Sequence, residues 1–319
     1  MSAPRISVIV PVFDAGADLE RALASIAAQG RDDVETVIVD DGSRDPQTLA
    51  LLDAAARRPG TSVHRTPNRG PSAARNLAIE HARGTYVLPL DADDYLAPDY
   101  LAKTVPILDA EPNVGIVHTW IGLVGGHHGV WRTGPLALPA LLVRCTVHVT
   151  ALYRRALWSD VGGYDPAFVE TAEDWDFWLR AIYSGARVSL QPKPLALYRW
   201  GSESLSAQPA RMDEHAEAVL RRGSERDDLT AEERAYLDRR LSGPSPAQLG
   251  RAGDEALRAG RYREAAASYR RAAELVPVEP RLVWKARVLR AAPRLTGPLV
   301  RARQLKIEDA VGFDEGHVR

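Results

Sequence analysis

The chain has 319 residues, of which 45% are apolar, 41 basic and 42 acidic. That is enough for one large domain with an appendage and the balance of a folded globular protein, while the near-zero net charge gives no general attraction to nucleic acid, and no nucleic-acid partner is expected. The single cysteine, Cys145 in "LLVRCTVHV", excludes a disulfide within one chain and is expected to fill apolar space.

No apolar run is long enough to cross a bilayer, and "MSAPRISVIVPVF" lacks the long apolar segment of a signal peptide, so a cytoplasmic protein is expected. β-Branched runs at 6–13, 34–40, 62–66 and 85–90 alternate with helical patterns at 17–29, 46–58 and 72–82. Such alternation predicts a mostly parallel sheet covered by helices on both faces. Ligands of such sheets gather at the carboxyl ends of the strands. Three polar signals fall at those ends: "DDGS" at 40–43, "NRG" at 68–70, and the acids Asp91, Asp93 and Asp94.

Beyond residue 113 the pattern is less regular. "VGIVHTW", "GVWR" and "VHVTALY" read as strands, "EDWDFWLRAIYSG" as a helix stopped by Gly185, and "RVSLQP" and "LALYRW" as two short strands. Trp175, Trp178, Leu179 and Ile182 recur at helical spacing and are expected to face a core. A Ser-, Gly- and charge-rich region from 201 to about 247 marks a linker or peripheral helices.

Residues 247–280 resemble one tetratricopeptide repeat, with Gly253, Gly260, Tyr262, Ala265, Tyr269, Ala272 and Pro277 in its small, aromatic and terminating positions. One repeat cannot bury its apolar face alone, so it is expected to pack on the main domain, the next helix or another subunit. Arg281 to Lys306 carry eight basic residues and no acid, the pattern of a solvated basic helix or of a surface for anionic lipid or an acidic partner.

The acidic triplet poses the central chemical question. Three carboxylates within four positions repel one another, and removing any from water is costly without cations or donors. A turn, or a cap for the helix beginning at Pro98 and Asp99, would explain it without any function. Similar bland readings exist elsewhere: an Asx-type turn at Asp40 and Asp41, a surface charge at Arg75, an N-cap at Asp174, and simple packing at His148. The pair His127-His128 in a Gly-rich loop does not by itself make a metal site.

The segments "SVIVPVFDAGADLERALASI", "VIVDDGS", "NRGPSAARNLAIEHARGTYVLPLDADD", "GGYDP" and "EDWDFWLR" resemble, in the same order, family 2 glycosyltransferases of the glycosyltransferase A fold. The resemblance spans residues 5–206, about two thirds of the chain. It implies a single α/β nucleotide-binding domain with a mixed, mostly parallel sheet over 1–206, to which composition adds a linker or peripheral helices over 207–246 and the repeat-like pattern a helical C-terminal region over 247–319.

It further implies a nucleoside diphosphate sugar donor, UDP above others, with Pro11, Val12, Phe13, Asp14, Asp41, Asn68, Arg75, Asp91, Arg199 and Ser204 around it. Asp41 would accept from a base imide N–H, since an ionised carboxylate is acceptor-only. Arg75 would pair with the diphosphate or with an aspartate of the site. Asp93, with Asp91 and the added Asp94, would hold Mn²⁺ or Mg²⁺, hard ions that favour oxygen. Asp174 would take the proton of an acceptor hydroxyl in one inverting displacement, and Glu173 would orient the acceptor. The family's histidine before a Ser-x-Ser is replaced by Gly201, leaving Arg199, Ser204, Ser206 and His148 as the polar groups nearby in sequence or pattern.

Two other classes compete. A nucleotide-sugar-binding scaffold without turnover fits the missing histidine but not the retained carboxylates, and a nucleotidyltransferase would want a Gly- and Lys-rich phosphate loop that "PVFDAGADLE" lacks. The acceptor, whether saccharide, lipid-linked, peptide or natural product, is not legible. Peripheral attachment at the inner membrane face and self-association through the C-terminal region are both compatible with the sequence.

Overall fold

The computed structural model describes residues 3–126, 128–134, 138–168, 172–201, 209–276, 280–291 and 295–301. The chain forms two compact units, Met1–Gln208 and Pro209–Arg319. In the first, β1 (Ile6–Val12), α1 (Asp18–Ala27), β2 (Val34–Asp40), α2 (Pro46–Ala55), β3 (Thr61–Arg65), α3 (Pro71–His81) and β4 (Tyr86–Pro89) alternate as the apolar periodicity predicts. There follow β5 (Tyr95–Leu96), α4 (Tyr100–Ala110), β6 (Val114–Gly125), β7 (Gly129–Trp131), α5 (Leu138–Val143), β8 (Leu152–Arg154), α6 (Arg155–Asp160), α7 (Glu173–Tyr183) and β9 (Arg187–Trp200).

The sheet runs β3-β2-β1-β4-β8-β6-β9-β5, with β7 added to β6. β1 pairs parallel with β2 and β4, β2 with β3, and β6 with β9, whereas β8 runs antiparallel to both β4 and β6. This is a mixed, mostly parallel sheet. Ile6, Val8, Val10 and Val12 of β1 are buried with Leu19, Ala22, Leu23 and Ile26 of α1. A strand buried on both faces is the reason for the unbroken apolar run, and each such aliphatic side chain contributes about 1.5–3 kcal/mol of transfer free energy. Asp45 caps α2 by accepting from Thr48 N at 2.7 Å, and Pro46 follows it at the first helical position.

The second half departs from the periodicity at two places. "VHVTALY" is a strand only from Leu152, because Thr150 N donates to His148 Nδ1 and Ala151 N to Val149 O, which removes those donors from any ladder. "RVSLQP" and "LALYRW" are one strand, β9, whose register against β6 shifts around Thr119–Ile121, where Pro194 lies opposite Trp120. Proline has no N–H to give, and the irregularity absorbs it. On α7, Trp175, Trp178 and Leu179 are buried as predicted, Ile182 is half-buried, and Phe177 and Ala181 join them.

In the second unit, α8 (Pro209–Ser224), α9 (Ala231–Leu241), α10 (Pro246–Arg258), α11 (Tyr262–Leu275) and α12 (Pro280–Ala291) succeed one another. Thr230 with Glu233 and Ser245 with Gln248 close reciprocal capping boxes on α9 and α10. α10 and α11 approach so closely that a Cβ on Gly253 would lie 2.7 Å from the Tyr269 ring. Tyr269 OH donates to Asp254 at 2.5 Å, and Lys285 Nζ of α12 donates to the same carboxylate at 2.6 Å. Pro277 and the chain beyond Arg301 lie outside the described residues. Among the described residues no helix is long and apolar enough to cross a membrane.

Candidate active site

The loops after β1, β2 and β3 are laced together by carboxylates and backbone. Asp14, at φ 45°, accepts from Arg44 N at 2.6 Å and Asp45 N at 2.8 Å. Asp40 accepts from Ser43 N, bracing its own turn. Asp41 is buried and accepts from Arg69 N at 2.9 Å and Gly70 N at 2.8 Å, while burial pushes its pKa upward. Its first structural task is therefore to hold the "NRG" loop ahead of α3, and recognition of a base imide must use its remaining lone pairs. Gly42 is required here: φ is 85° and a Cβ would fall 2.9 Å from Asn68 N. Pro11 is half-buried and Val12 buried, Asn68 is exposed, and Phe13 presents an aromatic face that is 53% exposed.

The acidic triplet forms a turn after β4, closed by Asp94 N donating to Asp91 O. Its three side chains part company. Asp93 reaches the surface, yet partial desolvation and then Asp91 push its pKa up to about 6. Asp91 Oδ1 accepts from Arg75 Nη2 at 2.5 Å. Asp94, expected as a further metal ligand, turns inward: it is 2% exposed and Oδ1 accepts from Arg199 N at 2.9 Å. Its Oδ2 lies 3.6 Å from His148 Nε2, too far for a hydrogen bond. Burial drives its pKa well upward. Asp94 is thus an anchor for the end of β9, and Arg199 extends from there to Asp18, with Nη1 3.0 Å from the carboxylate.

His148 is a packing residue with one polar task. Burial lowers its pKa to about 4, so the ring is neutral. Nδ1 accepts from Thr150 N, which assigns the proton to Nε2, and the ring lies against Tyr198 and the edge of Trp131.

α3 organises the other side. Ser72, Arg75 and Asn76 share one helical face and all bind the second half of the unit. Ser72 Oγ donates to Phe168 O; Asn76 donates to Tyr164 O and accepts from Tyr164 N and Trp158 Nε1. Arg75, expected at a diphosphate or an aspartate, is 2% exposed and takes the second option twice, donating through Nη1 to Glu173 and through Nη2 to Asp91. Glu173, expected to orient an acceptor, is buried against that arginine.

Asp174 lies in the first turn of α7, not at its cap, and is half-buried. Oδ1 accepts from Trp175 N at 2.7 Å. Burial, then the charge of Glu173, push its pKa up to about 7, where a carboxylate can take a proton near neutrality. Ser72 is a support that motif reading passed over, and Asn76, noticed only as part of the "ARN" element, is another; their signal was the i, i+3, i+4 spacing with Arg75 on α3. Ser204 lies outside the described residues.

Among the described residues no three His, Cys, Asp or Glu side chains converge as a ready-made cation site. The donor set nevertheless suits a hard divalent ion. Asp93 is exposed and Asp91 is near enough to raise its pKa, so the two carboxylates could offer oxygens and phosphate would supply others. A concavity of about 190 Å³ in the second unit, lined by Arg263, Ala266, Ala267, Arg270, Ala286 and Arg290, contains none of these groups.

The sequence model of "Glycosyl transferase family 2" matches residues 7–157. A "PGL/p-HBAD biosynthesis glycosyltransferase" of Mycobacterium bovis is 33% identical over 193 residues, covering 59% of this chain and 74% of that one. Protein y4gI of Sinorhizobium fredii is 34% identical over 213 residues, 65% of this chain but only 23% of its own length. In fold, the chain is similar to Staphylococcus aureus TarS 1-349 in complex with UDP-GlcNAc, with a TM-score of 0.63 and 20% identity over 91% of this chain and 92% of that one. It is similar also to the mannosyltransferase PcManGT of Pyrobaculum calidifontis in complex with GDP-Man and Mn²⁺, with a TM-score of 0.61 and 24% identity over 95% and 88%. Order of motifs, sheet topology and relatives agree that this chain belongs to glycosyl transferase family 2 and is a glycosyltransferase.

Proposed function

We propose that the protein transfers a sugar from a nucleoside diphosphate sugar, UDP above others, to an acceptor hydroxyl by a single inverting displacement that depends on a divalent metal. The observation that carries this reading is Asp174, a half-buried carboxylate with its pKa raised to about 7, set at the head of α7 and tied through Glu173 and Arg75 to the acidic turn. Support for the donor class comes from the fold neighbours, one bound to UDP-GlcNAc and another to GDP-Man with Mn²⁺.

Asp41 and the backbone of Pro11 to Phe13 would flank the base, with Phe13 offering a flat apolar face at the rim. Mn²⁺ or Mg²⁺, when held by Asp93 and Asp91, supplies Lewis-acid stabilisation of the departing diphosphate. Arg199, near Asp93 and paired with Asp18, adds positive charge on the same side. Asp174 removes the acceptor proton as the hydroxyl oxygen attacks the anomeric carbon and the bond to the diphosphate breaks. Its raised pKa keeps it basic enough to hold that proton.

The helices α10 and α11 are read as a tetratricopeptide-like hairpin serving self-association or acceptor contacts, and the basic C-terminal stretch as a route to the inner membrane face. Release of UDP from a panel of UDP-sugars and of GDP from GDP-mannose, with Mn²⁺ or chelator, tests the central reading. Metal-dependent release from at least one donor, lost in Asp174→Asn, is the expected result. Release that survives intact in that variant would remove Asp174 from its role, and no release from any donor would favour a binding protein without turnover.

A further inference from the structure

We propose that Arg75 is the positioning residue that joins the donor and acceptor halves of the site: one buried guanidinium grips Asp91 of the acidic turn and Glu173 of α7, and Asp174 is correctly placed only while both grips hold. The role in turnover rests on the function proposed above; the grip itself does not.

The geometry carries it. Asp91 and Glu173 come from distant parts of the chain, 16 and 98 residues from Arg75. Nη1 and Nη2 each donate to one of them, and Arg75 is 2% exposed, so although its Nε–H is without a partner among the described residues it lacks the access expected of a diphosphate ligand. The Tyr164 ring lies 5.8 Å from the guanidinium carbon and screens it further. A charge so buried is tolerable only when paired, and here one cation meets two anions. Lysine could not replace it, because a single ammonium lacks the planar fork that reaches two carboxylates at once.

The backbone gives a second indication. Ala172, immediately before Glu173, stands at φ 70°, a conformation that a residue with a Cβ adopts at a penalty. Such strain persists where the surroundings over-determine it. The Arg75–Glu173 pair is the side-chain bond that fixes the chain at that point. Ser72 and Asn76, on the same face of α3, secure the preceding stretch through Phe168 and Tyr164.

The pairing also divides the labour among four acids. Arg75 takes an oxygen from Asp91 and one from Glu173 and none from Asp93 or Asp174. Those two are left to face substrate. Asp174 accepts from Trp175 N and feels the charges of Glu173, Arg75 and Asp91. Glu173 and Asp91 favour its protonated form and Arg75 its charged form.

The test uses the full chain and water as acceptor, following UDP release from UDP-glucose and UDP-GlcNAc in Arg75→Lys, Glu173→Gln and the double variant. Arg75→Lys is expected to lower kcat about 10- to 100-fold, as loss of a supporting contact does, while UDP affinity with Mn²⁺ stays within about threefold. The acid limb of the kcat profile should move down by about one pH unit in Glu173→Gln, which removes a negative charge beside Asp174, and stay near the parent's in Arg75→Lys, which keeps the positive one. The double variant should be no worse than Arg75→Lys alone. A tenfold or greater loss of UDP affinity with unchanged kcat would make Arg75 a donor ligand and overturn the proposal. So would a limb that does not move in Glu173→Gln, or losses that simply multiply.

If Arg75→Lys does not fold, Glu173→Gln in the parent background decides through its own kcat and limb. If the parent releases no UDP from any donor, the enzymatic reading fails separately. The grip is then read from urea midpoints of the same variants, where additivity would refute it and non-additivity would uphold it.

Discussion

Asp14 and Asp41, in the loops after β1 and β2, are held by backbone N–H groups about thirty residues away, whereas Asp94 of the acidic turn and Glu173 of α7 are held by groups about a hundred residues away. Asp14 and Asp41 each accept two backbone donors from a neighbouring loop of the regular β-α half. Glu173 and Asp94 depend on Arg75 and on Arg199 N, at separations of 98 and 105 residues. The first arrangement makes a stiff cradle from local turn chemistry. The second ties the two halves of the unit together through a few contacts between distant parts of the chain.

The largest expected effect breaks the comparison cleanly on the α7 side. Asp174→Asn should lower kcat for UDP release by about 10²- to 10⁴-fold while Mn²⁺-dependent UDP binding, measured by calorimetry, is largely spared. In the parent, activity should rise with pH through about 7, because Asp174 must be unprotonated to accept a proton and its pKa is raised to that value. An activity that instead falls across that range would point to an acid in its place.

Next in size is Trp178→Ala, at a side chain that is 0% exposed among Tyr153 and Phe177. It should destabilise the fold by about 3–5 kcal/mol in urea unfolding. On the donor side, Asp41→Ala leaves the Arg69 and Gly70 N–H groups without their acceptor and should cost about 1–3 kcal/mol, with UDP affinity falling alongside. Equal UDP affinity in Asp41→Ala would show that the cradle is built without it. Smallest is Gly42→Ala, about 1–2 kcal/mol from the left-handed backbone, to which the close approach of Asn68 N adds; a thermal melt suffices to read it.

The same contrast explains what the sequence could reveal. β1 to β4 follow their apolar periods because each strand and helix packs on neighbours in the chain, and the "DDG" turn announces its own conformation. The positions of Asp174 and the acidic turn were legible as motifs in order. What each acid touches was not. Nothing in "DADD" says that Asp94 faces inward to Arg199 N while Asp93 faces out, since that depends on how β9 bends past Pro194. Nor does "ARN" disclose that its arginine serves two carboxylates and its asparagine holds the "GGYDP" turn. The strand read into "VHVT" fails for a related reason: His148 competes for a backbone donor, a choice made only once the ring is enclosed by Trp131 and Tyr198.

The reach of Arg75 has a consequence for how the molecule is made. On the ribosome, Arg75 emerges 98 residues ahead of Glu173, an interval of about 5–20 s at ordinary elongation rates. The loops after β1, β2 and β3 can therefore assemble on the nascent chain before α7 exists, and docking of α7 must desolvate this guanidinium at a late step. α7 is thus the element whose late or faulty arrival a chaperone would have most occasion to guard.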